Sequence, residues 1–316
     1  MNHKAKGLMN QTWGIIKRAR VDTLSKRLYL MDTLAMTAGL YGVEIWGWAA
    51  KEKIEQMKGR GVKMAMGLNI NTPGYIWRME SGRNRAIVET RRRLCGYILK
   101  IIKMGEERWP RICLSEELRW IKNREPTKWG SELKAAWDEV GEGELLNIML
   151  DKEMNISKIM EKLANGIRIK EEQEVQKDWE NVDKSRYWDK YKNIKSKVEE
   201  EEYWEDKNLK GKIKEEWARL RCGNLSKEGC KGYRDNICRV CKEENETLGH
   251  IWECKKAREE TDCLLIGELD KWAEEVEGKG WEEKLMKAMT GKCVKVICEY
   301  AINFERLVRK RLENKD

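Results

Sequence analysis

Cys238-Arg239-Val240-Cys241 and, after an eight-residue spacer, His250-Ile251-Trp252-Glu253-Cys254 form the stretch around which the C-terminal part of this chain is organised. The spacing is C-x2-C-x8-H-x3-C. A C-x2-C pair offers two thiolates from one tight turn. His250 and Cys254 are four residues apart, so on a helix they face the same way. Two such pairs can close one tetrahedron around Zn2+, which takes sulfur and nitrogen ligands at about 2.0 to 2.3 Å. A C-x2-C pair alone also suits redox chemistry; the added histidine and cysteine favour the metal. Four protein ligands leave no position for water, so the expected role is structural. His250 is the only histidine inside the chain, since His3 lies at the N-terminus. Cys222, Cys230 and Cys263 are nearby thiols, and Cys230, eight residues before Cys238, could replace a ligand. Cys95, Cys113, Cys293 and Cys298 read most simply as small buried residues.

Working outward, the 316 residues suffice for about two domains. Charged residues make up 38 %, well above the roughly 25 % of an average domain, so long solvated helices are expected. Fifteen tryptophans argue against disorder. Met1-Asn2-His3-Lys4 begins no secretory apolar core, so the ten cysteines read as reduced thiols of an intracellular protein, in nucleus or cytoplasm. Leu28 to Ala50 is the most apolar stretch, but Asp32, Glu44 and three glycines argue against a membrane span.

Residues 1–126 hold 25 Lys+Arg against 12 Asp+Glu, whereas 127–316 hold 39 against 43. A polyanion site is therefore expected in the first part or in local patches of the second. Val21, Leu24, Leu28, Met31, Ala35 and Ala38 recur at helical spacing. Leu40 to Trp48 reads either as an extended segment or as a second, tightly packed helix. Lys51 to Leu68 reads as a helix, and Asn71-Thr72-Pro73-Gly74 as a turn signal, with Pro73 suited to the second and Gly74 to the third position of a type II turn. A helix from about Asn84 places Ile87, Leu94, Ile98 and Ile101 on one stripe. Residues 78–103 carry eight basic side chains against Glu80 and Glu89. Among them Arg83, Arg85, Arg91, Arg92 and Arg93, with Tyr75, Trp77 and Tyr97 interspersed, suit a nucleic-acid phosphate backbone and its bases. A solvated helix face explains the same run equally well. Pro110 and Pro126 punctuate a linker, Ser115 is expected to cap a short helix to Lys122, and Ser131 the next one. From Ser131 to Trp217 charged helices follow without sustained heptads, with tryptophans as sparse anchors. Helices are expected over 264–276 and 294–308.

No Gly-rich phosphate loop, paired polymerase aspartates or nuclease motif occurs, and with His250 assigned to the metal a serine or cysteine triad has no base. Neither an enzymatic activity nor a small-molecule substrate is expected.

Four segments resemble a known family. Tyr41-Gly42-Val43-Glu44-Ile45-Trp46-Gly47 looks like the segment just after the polymerase palm of non-LTR (LINE-type) retrotransposon reverse transcriptases, of the type common in insect genomes. Asn71-Thr72-Pro73-Gly74-Tyr75-Ile76 resembles their following stretch, and Arg219-Leu220-Arg221-Cys222-Gly223-Asn224 a further one. Glu246-Thr247 with Cys238, Cys241, His250 and Cys254 is similar to their C-terminal zinc knuckle. The family's palm, with its catalytic aspartates, precedes the first of these segments; about forty residues precede it here. The resemblance implies a thumb-proximal and C-terminal part of such a polyprotein, associating with the remainder of a reverse transcriptase. It also implies RNA or DNA binding by the knuckle region, where residues 207–258 hold 14 basic and 8 acidic side chains, including Arg219, Arg221, Arg239, Lys255 and Lys256. The expectation is a mainly α protein: a basic, thumb-like helical domain over 1–110, a charged helical connector over 111–217, and a zinc-knuckle module over 218–316.

Overall fold

The computed structural model describes residues 2–46, 51–151, 155–185, 188–228 and 235–313. Among these the chain is mainly helical, and β pairing is limited to two isolated antiparallel bridges, Ser81 with Glu200 and Ile237 with Asn245. No helix among the described residues is long and apolar enough to cross a membrane. Gly47 and Cys230 lie outside the described residues.

The chain packs as two units. One gathers residues 1–4, 36–58 and 84–177; the other gathers 5–35, 59–83 and 178–316. These bounds cut across the three expected segments. Each unit collects pieces far apart in sequence, which a shift in local composition does not reveal.

In the first unit, the helices Ala86–Ile102, Trp109–Lys122 and Lys128–Asp138 enclose a core of Leu94, Ile98, Ile101, Leu114, Leu118, Leu133 and Trp137. The helical stripe is as expected except at its start, where Val88 rather than Ile87 is buried. Two helix starts differ from expectation. The second helix begins at Trp109, with Pro110 in its first turn, rather than at Ser115. Proline is favoured there because the first-turn N–H groups have no helical acceptor anyway. The third is capped by Thr127, whose hydroxyl accepts the Gly130 N–H at 3.2 Å, not by Ser131. Tyr41 to Trp46 takes the helical alternative: Gly42 turns the chain at φ 67°, and Val43–Trp46 forms one helical turn. Residues 156–177 belong to this unit and form most of the 28-residue helix Ile156–Asp183, the longest of the charged helices.

In the second unit, the helix Leu24–Leu30 continues as a π-helical turn over Met31–Met36. The Asn71-Thr72-Pro73-Gly74 segment is not a type II turn. Pro73 is an N-cap at φ −59°, and Gly74 opens the helix Gly74–Ser81. A type II turn needs positive φ at its third residue, and Gly74 does not have it. The helix Gly211–Arg221 runs through the core, burying Ile213, Trp217, Ala218 and Leu220. Trp188, Trp204 and Trp217 are buried anchors, as their sparse spacing suggests.

This unit also buries charge. The Glu80 carboxylate is 0 % exposed and accepts from Arg221 Nε at 2.6 Å, Tyr191 OH at 2.9 Å and Tyr203 OH at 3.1 Å. Arg221 also reaches Glu201 at 2.9 Å and donates to the Met289 carbonyl. Burial alone would raise the Glu80 pKa, but the Arg221 charge and hydrogen bonds turn the net shift downward. Next to Arg221, Gly223 turns the chain at φ 67°. Asn224 then accepts the Asn69 N–H at 2.6 Å and the Thr72 hydroxyl at 2.8 Å, and donates to the Cys222 carbonyl at 2.8 Å. Segments over 140 residues apart thus meet side chain to side chain.

Candidate metal centre

Cys238 and Cys241 flank a tight turn. The Cys238 carbonyl accepts the Lys242 N–H at 3.1 Å, and Lys242 takes the left-handed conformation at φ 64°. The Cys238 N–H donates to the Glu244 carbonyl at 2.7 Å, and the Ile237–Asn245 bridge closes the base of the loop. The other pair stands on the short helix Leu248–Glu253. Thr247 caps that helix, its hydroxyl accepting the His250 N–H at 3.1 Å. The Cys254 N–H donates to the His250 carbonyl at 2.8 Å, which keeps the two ligands one turn apart on one face.

All four side chains are buried, and their ligand atoms lie within 4.8 Å of one another. A tetrahedral zinc with bonds of about 2.3 Å to sulfur and about 2.0 Å to nitrogen sets sulfur–sulfur edges of about 3.8 Å and sulfur–nitrogen edges of about 3.5 Å. Cys238 Sγ and Cys254 Sγ are 4.0 Å apart, and Cys241 Sγ is 3.5 Å from His250 Nε2. Two edges of the cage thus match a tetrahedral metal site, and all four ligand atoms stay within 4.8 Å of one another. The other imidazole nitrogen, Nδ1, lies 3.2 Å from Glu244 Oε2. That carboxylate fixes the tautomer with Nε2 free to ligate. The Cys238 thiol is pulled down to about 4, chiefly by the hydrogen bond from Cys254, which burial only partly opposes. Cys254 moves up for the same reason, because it keeps the shared proton. A divalent ion replaces such a proton and ionises both thiols. Three soft sulfurs and one imidazole suit zinc.

The helix Lys295–Glu313 supports the cage. Arg311 Nε donates to the Val240 carbonyl at 2.9 Å and pairs with Glu260, and Tyr300 OH donates to the Ile251 carbonyl at 3.1 Å. These contacts escape a reading of the sequence. Basic residues in a last helical turn need only the helix dipole to account for them, and nothing local ties Arg311 to a residue 71 positions earlier.

The expected nucleic-acid contacts fall into two groups. Arg91 and Arg221 are buried at 3 % and 2 % exposure and pair with Glu139 and Glu80, out of reach of a phosphate. Arg85 pairs with Glu174, Arg219 with Glu216 and Glu305, and Arg239 with Glu246 and Glu305. These are internal ties: Arg239 also donates to the Leu225 carbonyl at 2.8 Å. More open are Arg83, paired with Asp32, and Arg93, paired with Glu89. Arg92 is 47 % exposed and pairs with Glu171; Lys256 is 48 % exposed and pairs with Glu243; Lys255 is exposed. Cys222 is buried beside Arg221, Cys263 is exposed, and neither belongs to the cage. Cys113 is also exposed and Cys293 half-buried, contrary to the expectation of core thiols. Comparison with models of protein families, with curated proteins and with solved structures finds no match for this chain.

Proposed function

We propose that the chain is a non-catalytic, nucleic-acid-binding part of a retrotransposon-type reverse transcriptase, whose C-terminal module is held by one structural Zn2+. The observation that carries the metal is the buried Cys238, Cys241, His250 and Cys254 cage, two of whose edges have tetrahedral length. Four ligands close the shell, so the ion stabilises the fold and activates no water. The four family-like segments support the parentage. Two of them also explain each other physically, since Asn224 of one holds Thr72 of the other.

RNA or DNA contact rests on the exposed cations Arg92, Lys255 and Lys256 and on the half-buried Arg93. Their acidic partners are exposed or half-exposed, and such surface pairs contribute only about 0–1 kcal/mol, so phosphate can displace them. Metal analysis of the reduced, purified chain is expected to give one zinc per chain. Single-stranded RNA or DNA should bind with an affinity that falls as salt rises, the log–log slope shrinking by about 0.7 for each phosphate contact removed. The variant R92A/R93A/K255A/K256A should flatten that slope. Binding that is absent or insensitive to salt refutes the nucleic-acid reading; a metal-free chain refutes the zinc.

A second reading, a zinc-stapled protein-interaction module, is favoured by how many of the arginines are engaged internally. Under it, the same variant leaves partner binding intact and has no nucleic-acid affinity to lose.

A further inference from the structure

Outside the metal cage, Cys293 and Cys298 bring their sulfurs to 3.9 Å. Cys293 lies in the link between the helices Trp281–Met289 and Lys295–Glu313, and Cys298 in the first turn of the latter. Their environments differ. Cys298 is 1 % exposed, whereas Cys293 is half-buried and lines a cavity of about 640 Å³ whose near wall is Thr290, Gly291 and Lys292. The far wall is the acidic run from Glu199 to Glu202 with Tyr203. One thiol is thus open to a small oxidant, and the second waits behind it, closed to solvent but within reach of the first.

We propose that Cys293 and Cys298 form a reversible disulfide site, oxidised by a hydroperoxide through Cys293. In the first step the Cys293 thiolate attacks one oxygen of hydrogen peroxide. An S–O bond forms, the O–O bond breaks, and the leaving hydroxide takes a proton to become water, which leaves a sulfenic acid. In the second step the Cys298 sulfur attacks that sulfur as its proton passes to the leaving oxygen. The S–S bond forms, the S–O bond breaks, and a second water leaves. Two thiols lose two electrons and two protons, and peroxide gains them. Closing the gap from 3.9 Å to about 2.05 Å falls to Cys293, which sits in a link rather than in a helix. A thiol reductant reverses the step by exchange. The bond would clasp the link at 290–294 to the first turn of the helix that braces the metal cage.

The test uses the full, zinc-loaded chain, in which the cage thiols are masked by the metal. It is treated with increasing hydrogen peroxide, quenched with an alkylating agent, digested and mapped by mass. The expected product is a peptide pair joined through Cys293 and Cys298, lighter by two hydrogens and restored by dithiothreitol. It should appear at peroxide levels where the exposed Cys113 and Cys263 are still alkylated. In Cys298→Ser, Cys293 should instead accumulate as a sulfenic acid trapped by dimedone, and Cys293→Ser should abolish both products. Because Cys293 is half-buried, that second variant remains informative if Cys298→Ser fails to fold. The proposal is overturned if both thiols stay alkylatable while Cys113 and Cys263 oxidise, or if wild-type Cys293 accumulates as a dimedone adduct without forming the bond.

Discussion

Replacing Arg221 by methionine tests the buried ion pair at the heart of the second unit. The substitution keeps aliphatic bulk and removes the guanidinium. Glu80 then retains two neutral donors, the hydroxyls of Tyr191 and Tyr203, for a carboxylate that no water reaches. The Met289 carbonyl loses its donor as well. Removing one partner of such a pair costs about 3–5 kcal/mol, because the other charge stays buried without compensation. The pH dependence gives a second, independent reading. In the wild type the folded-state pKa of Glu80 lies below its unfolded value. Its contribution is therefore complete above about pH 4.3 and is lost as pH falls through the folded-state value. In Arg221→Met the main force opposing burial is gone and only the Lys195 charge and the tyrosine hydrogen bonds remain, so the folded-state pKa should rise above the unfolded one. The protonated acid then contributes most below about pH 4.3, and that contribution is lost as pH rises through the raised value. The penalty should consequently widen from about pH 5 to about pH 7. Urea unfolding followed by tryptophan fluorescence at both pH values measures it. A companion Glu80→Leu/Arg221→Met double variant should recover part of the loss. A cost below about 1 kcal/mol that does not change with pH would refute the buried pair.

Three further outcomes follow from the same structure. Gly223→Ala puts a Cβ 2.7 Å from the Trp188 ring at φ +67°, so it should cost about 1–3 kcal/mol and lower the thermal midpoint by several degrees. Glu244→Ala should weaken zinc affinity about tenfold in a chelator competition while leaving the helical signal unchanged. The effect sits at the low end for such a partner because Glu244 is 74 % exposed and water can replace it. In the first unit, burial works against the Glu139 charge, but hydrogen bonds from Lys170 and Arg91 more than offset it and hold the carboxyl at about 2. Its contribution is present above about pH 4.3 and lost as pH falls toward 2, and Glu139→Gln should flatten that limb of an acid-unfolding curve.

The metal cage was legible in the sequence because its ligands are local. A tight turn and one helical turn fix two pairs, and only the eight-residue spacer had to fold to join them. Helix periods were legible for the same reason, and helix starts less so: Pro110 suits a first turn through its fixed φ, and the Thr127 hydroxyl accepts the Gly130 N–H where Ser131 was the expected cap. The arginines were misleading. Arg91, Arg92 and Arg93 step about 100° apart around a helix, so three consecutive charges cannot share a face. Arg91 turns into the core toward Glu139, and Arg92 turns out. Which acid neutralises which arginine depends on tertiary contacts such as Glu80 with Arg221, 141 residues apart, and no local pattern carries that information.

The same separation has a consequence during synthesis. At 5–20 residues per second, the ribosome needs roughly 7 to 30 s to travel from Glu80 to Arg221. Throughout that interval Glu80 lacks the guanidinium that neutralises it, and Thr72 lacks the Asn224 side chain that accepts from its hydroxyl. The second unit is therefore a late-closing structure. Translation pauses anywhere between residues 84 and 289 should prolong its exposure to chaperones and proteases, because Arg221 in turn waits for the Met289 carbonyl.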